Sequence, residues 1–190
     1  MRLLNYRLRR AGFNTVQFRY KSVRSTPIEN TIKLQEFIRD INAPNIHFVC
    51  HSLGGLIVRH LFNDYPDQRP GRIVTLGTPH TVSSAAKKLA KIFPGRLLLG
   101  NSTDLGLLGS VPPWHSNNEL GVIAGTMRLG LGMMVPGIAK PNDGTVAVEE
   151  TRLENMTDHI ILPVSHFGML LSKRVAYQTI HFLHNGKFDH

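Results

Sequence analysis

Apolar positions along the chain change period repeatedly, and the changes outline the elements. Met1, Leu4, Leu8 and Ala11 recur at helical spacing with arginines between them, and Gly12 follows as a stop signal. Asn14 to Tyr20 then alternates, with Val16 and Phe18 on one face, which predicts a strand. From Pro27 to Asn42 the spacing of Ile28, Ile32, Phe37, Ile38 and Ile41 predicts an amphipathic helix, with Pro27 suited to its first turn. Ile46 to Cys50 is a short apolar run of the kind buried on both faces of a parallel sheet, and helical spacing resumes from Leu53 to Phe62. A strand at Arg72 to Leu76, a helix at Ser83 to Ile92, strands at Gly121 to Met127 and His159 to Val164, and a closing helix over Gly168 to Leu183 complete the series. Strand and helix in alternation predict an α/β fold with a mostly parallel sheet and helices on both faces, formed as one domain over residues 1–190.

The pattern dissolves between residues 95 and 144. Ten of the 17 glycines fall there, mixed with Leu97, Leu98, Leu99, Trp114, Met133 and Met134. A long irregular segment of this composition reads either as a lid or pocket wall for an apolar ligand or as loops covering the end of the sheet.

Composition narrows the function classes. With 42% hydrophobic and 18% charged residues the chain has the profile of a globular domain with an adequate core. Cys50 is the single cysteine, so neither an intramolecular disulfide nor a cysteine-based zinc site can form, and a cytoplasmic location is the expectation. No run reaches the roughly 18 apolar residues of a membrane span. The net charge is +9, and seven basic residues precede the first acid, Glu29. A solvated basic face is the expected reading. Peripheral contact with an anionic membrane surface stays open, whereas nucleic acid is not expected, because no nucleic-acid motif accompanies the charge and aromatics are only 7%.

Candidate chemistry centres on Phe48-Val49-Cys50-His51-Ser52-Leu53-Gly54-Gly55, a strand turning sharply into a helix with a serine at the turn. Such a turn pushes the Ser52 hydroxyl beyond the sheet's carboxyl edge and places the Leu53 amide at a helix N-terminus, where it can stabilise an oxyanion. Cys50 stands where the G-x-S-x-G pattern has its first glycine. A serine nucleophile needs a base oriented by an acid, in the chain order Ser, Asp or Glu, His. His166 follows the last predicted strand and fits the base, whereas His159 stands at that strand's wrong end. Asp143, in Asn142-Asp143-Gly144-Thr145-Val146, fits the acid; Asp104 comes too early and Asp158 precedes the final strand. His51 adjoins the serine but is expected to point elsewhere.

These motifs, together with Leu76-Gly77-Thr78-Pro79-His80 and Ser165-His166-Phe167-Gly168, resemble the α/β-hydrolase superfamily, and within it the lipase-like serine esterases related to the GPI-inositol-deacylase-like and triacylglycerol-lipase-like groups. The resemblance spans residues 46 to 168. It implies Ser52 as nucleophile, Asp143 as acid, His166 as base and Leu53 as oxyanion donor, with His51, Thr78, Pro79, His80 and Phe167 bordering the pocket for a small-molecule or lipid ester. No metal or organic cofactor is implied. Family members also carry a strand ending in a His-Gly loop that supplies a second oxyanion donor, and this chain opens in the helix after it. The expectation is therefore an N-terminally truncated α/β-hydrolase fold with Met1 internal to a longer natural product. Hydrolysis of an apolar acyl ester is the leading reading; acyl transfer with the same residues, or a catalytically silent binding protein, are the alternatives.

Overall fold

The computed structural model describes residues 1–20, 25–81, 111–129 and 138–190. Among these residues there are four α-helices, α1 (Arg2–Arg10), α2 (Pro27–Arg39), α3 (Gly54–Asp64) and α4 (Lys173–Asn185), and four strands, β1 (Phe48–His51), β2 (Ile73–Leu76), β3 (Leu120–Gly125) and β4 (Asp158–Leu162). The strands make one sheet in the order β1-β2-β3-β4 with every pairing parallel, so each chain segment leaves the sheet at the same edge. Loops that follow different strands therefore converge there, which is where a site can be assembled.

Local sequence explains the helix boundaries. Thr26 caps α2 by accepting from the Glu29 amide while the Glu29 carboxylate accepts from the Thr26 amide, a capping box ahead of Pro27. The closing helix expected over Gly168 to Leu183 divides in two. A 3-10 turn at Gly168–Leu170 ends at Leu171, and Ser172 caps α4 through its side chain on the Val175 amide. A serine that takes an amide in this way starts a new helix rather than continuing the old one.

Period-two alternation divides the strands between two cores. Val74, Leu76, Ile123, Ile160 and Leu162 pack with Leu4 and Leu8 of α1 and with Val175 and Phe182 of α4. Ile73, Leu120 and Val122 pack on the other face with Leu34 and Ile38 of α2 and Ile57 and Leu61 of α3. The arginines of α1 point outward, Arg7 donating to the Leu171 carbonyl and Arg9 to Thr15, so the basic start covers the sheet.

The strand expected at Asn14 to Tyr20 is not formed: the segment has no β pairing among the described residues. Its rings still pack, Phe18 lying 5.4 Å from Phe37 and 6.0 Å from Tyr20 between ring centroids. Between this segment and β1 lies a cavity of about 540 Å³, lined in part by Val16, Phe18, Tyr20, Phe48 and Cys50. Phe48 and Ser52 donate their amides toward β2, to Arg72 and Leu76, so the intervening Val49 and His51 amides face this open side. Alternation alone does not make a strand: a strand needs a ladder partner, and among the described residues none pairs with this segment. The helix predicted at Ser83 to Ile92 and most of the glycine-rich segment lie outside the described residues. Among those described, no helix is long and apolar enough to cross a membrane.

Phe182 is fully buried where α4 meets the sheet. Phe182→Ala is expected to lower unfolding stability by about 3–5 kcal/mol, read as a shifted midpoint in urea denaturation.

Candidate active site

Ser52 stands between β1 and α3 with φ of 55°, one of two non-glycine residues in the left-handed region among those described. That conformation costs an L-residue roughly 1–3 kcal/mol and persists only where the surroundings fix it. They do so from both sides. The Ser52 amide donates to the Leu76 carbonyl at 2.9 Å, and the Ser52 carbonyl accepts from Thr78 Oγ1 at 2.8 Å and from the Gly55 amide at 3.1 Å. The close approach of Thr78 requires Gly55, where a Cβ would lie 2.4 Å from Thr78 Oγ1. Ser52 Oγ makes no hydrogen bond among the described residues, and no backbone acceptor takes the Leu53 amide at the start of α3.

Asp143 and His166 arrive from two separate loops. The Asp143 carboxylate is buried; its Oδ1 accepts from the amides of Thr145 and Val146 at 2.8 and 2.7 Å, and its Oδ2 accepts from His166 Nδ1 at 2.7 Å. The turn motif Asn142-Asp143-Gly144-Thr145 explains the first two bonds, because an aspartate side chain closes readily on amides two and three residues ahead. The His166 amide donates to the Asp143 carbonyl at 2.9 Å, so the loops are locked by backbone as well as side chain. With Nδ1–H held by the carboxylate, His166 keeps Nε2 as its basic nitrogen.

Gly77 lies beneath this pair at φ of 56°. A Cβ there would sit 2.9 Å from Asp143 Oδ2 and 3.0 Å from His166 Nδ1. Sequence reading placed Gly77 in a loop near the pocket but missed that its missing side chain makes room for the Asp-His contact. Its signal was the glycine immediately after a buried strand.

The other expected residues take distinct places. His51 lies against His166, the two ring centroids 4.6 Å apart, with its Nε2 bonded to the His166 carbonyl at 2.9 Å. It turns toward the site rather than elsewhere. Phe167 is 67% exposed and edge-on to His166 at 5.5 Å. Thr78, Pro79 and His80 are buried. Thr78 braces the serine turn, and His80 faces the core, Nε2 lying 3.0 Å from Thr75 Oγ1 and its carbonyl accepting from Arg59. Burial, with lesser contributions from Arg59 and His159, pushes His80 down to about 3. Burial likewise pushes the Cys50 thiol up to about 12, so the cysteine two residues before Ser52 stays an inert thiol.

No family model matches the chain, and no curated protein matches it. Solved structures do. The chain is similar to a lipase of Bacillus licheniformis in its mature form, at TM-score 0.59 and 20% identity over 82% of this chain and 71% of that one. The propeptide form of the lipase gives TM-score 0.59 and 21% identity over 79% of this chain, which spans only 38% of that longer chain. An alpha/beta hydrolase fold protein from Chitinophaga pinensis gives TM-score 0.56 and 14% identity over 87% of this chain and 74% of that one. The parallel sheet, its flanking helices and these likenesses together establish an α/β-hydrolase fold.

Two outcomes follow. Gly77→Ala is expected to displace Asp143 from His166 and to abolish the downfield proton NMR resonance of a carboxylate-bound Nδ1–H. In the wild type the unfolded chain binds a proton at His80 near pH 6.5, whereas the folded chain binds it only near pH 3. Stability therefore falls on acidification through that window, by about 1.4 kcal/mol per pH unit for this group. Urea midpoints measured between pH 7 and pH 4.5 should show a shallower loss in His80→Gln.

Proposed function

We propose that the protein is a serine carboxylic-ester hydrolase acting on esters with apolar acyl chains. The observation that supports this reading is a serine turn at positive φ and a buried Asp-His pair that both follow strands at the same edge of the sheet. His51, the residue before Ser52, touches the His166 ring.

In the proposed reaction Ser52 Oγ attacks the ester carbonyl carbon while His166 Nε2 takes the hydroxyl proton. Asp143 holds the resulting imidazolium by its Nδ1–H, and the Leu53 amide donates to the oxyanion. Collapse of the tetrahedral intermediate breaks the bond to the alcohol, which leaves with the proton from His166. Water then attacks the acyl-enzyme as His166 takes its proton, and collapse breaks the acyl–Oγ bond, releasing the free acid while His166 returns the proton to Ser52 Oγ. An alcohol replacing that water would give acyl transfer by the same steps.

The surroundings favour an apolar acyl group. Phe167 beside the base, Met127 after β3 and Leu129 against the Asp143 loop are all exposed at this edge. Exposed apolar side chains rimming a polar centre mark a site for an apolar ligand.

Hydrolysis of p-nitrophenyl esters across a range of chain lengths tests the reading, alongside labelling by a fluorophosphonate. Activity is expected to rise from acetyl to longer acyl chains. Ser52→Ala should abolish both signals, and Asp143→Asn should lower turnover by about 10⁴-fold through loss of the correct His166 tautomer. Absence of labelling, or labelling that persists in Ser52→Ala, would overturn the assignment.

A further inference from the structure

We propose that His51 is a positioning residue for the base: its Nε2–H holds the carbonyl of His166 and ties the strand that carries Ser52 directly to the loop that carries the imidazole. The inference rests on the reading of Ser52 and His166 given above and adds a third histidine-centred contact to it.

The geometry supplies the argument. β1, which ends in His51 and leads directly into Ser52, and the loop after β4, which carries His166, are separated in the sheet by β2 and β3. No pairing between strands can therefore set their distance directly. The bond from His51 Nε2 to the His166 carbonyl, 2.9 Å long, spans that gap in one step. A carbonyl only accepts, so Nε2 carries the proton and the neutral ring is the Nε2–H tautomer. His166 is then held at three points: its ring by Asp143, its amide by the Asp143 carbonyl, and its own carbonyl by His51. The first two bonds both run to Asp143, and only the third reaches the nucleophile's strand.

The chemistry of the site explains why a neutral donor suits this place. The His166 ring, 4.6 Å away between centroids, becomes positive when it takes the Ser52 proton, and a second positive charge there would oppose that step. The titratable and charged groups acting on His51 are His166, Asp143 and the Met1 amino group; burial, followed by the influence of His166, pushes its pKa down to about 4. Its ring stays uncharged at neutral pH while still donating. A lysine could donate to the same carbonyl but would bring the opposing charge.

Three variants separate positioning from packing. His51→Gln retains a neutral donor, His51→Phe retains the ring's bulk without one, and His51→Lys supplies a charged one. The fluorophosphonate labelling rate is expected to stay within about threefold of wild type in the Gln variant and to fall tenfold or more in the Phe variant, for which thermal unfolding checks the fold. The Lys variant should show the pH midpoint of labelling moved to lower pH. The downfield Nδ1–H resonance of His166 should persist in Gln and broaden or vanish in Phe, a readout that needs no activity. Wild-type rate and resonance in Phe, or equal losses in Gln and Phe, would overturn the proposal. If wild type is not labelled, the hydrolase reading fails, while the resonance still decides whether His51 positions His166.

Discussion

The left-handed backbone at Ser52 is the constraint on which the site depends. It is held by the Leu76 carbonyl on one side and by Thr78 Oγ1 on the other, both from the end of β2. The turn thus stands because two neighbouring parallel strands end at the same level, and it fails if their register slips. The sheet is accordingly a ruler for chemistry as well as a core. Each pairing in the order β1-β2-β3-β4 fixes how far the chain following one strand stands from the chain following the next.

That ruler operates at short range, and the site spans the whole sheet. Ser52 comes from the first strand, Gly77 and Thr78 follow the second, and His166 follows the fourth. Asp143 joins them from the segment between β3 and β4, its loop locked to His166 by two bonds. Buried polar groups with every partner in place are rigid, and partly satisfied ones are costly. The Asp143 carboxylate is of the first kind, accepting two amides and an imidazole. It has no need of water to complete its shell, which allows it to sit at 1% exposure.

Much of this was legible in the sequence because the signals were local. Helical spacing from Met1 to Ala11 and from Pro27 to Asn42, the apolar runs at Ile46 and Arg72, and the serine at the turn between Cys50 and Gly54 each encode their structure within a few residues. What the sequence left out was relational. The alternation at Asn14 to Tyr20 suits a strand but does not say whether a partner strand lies beside it. The break between Gly168–Leu170 and α4 turns on one serine's choice between continuing and capping a helix. The part played by Gly77 depends on two residues 66 and 89 positions away, and the orientation of His51 depends on a carbonyl 115 residues downstream. His80 belongs to a motif that suggests a pocket, yet its ring turns to Thr75 within the same strand-loop unit.

Among the described residues β1 is paired along one side, by β2, and Ser52 follows it directly. Elements open locally with free energies that depend on how many bonds and contacts must break together, ranging from near zero to the full stability of the molecule. With a four-residue ladder to β2 and a cavity along its other flank, β1 has fewer such bonds to break than β2 or β3, each of which is paired on both sides. The durability of the geometry at Ser52 therefore depends on local contacts: the four-residue ladder to β2, the bond from Thr78, the α3 packing behind it and the bond from His51 to the His166 carbonyl. Two versions of this chain with the same melting temperature can hold Ser52 in place for very different fractions of the time.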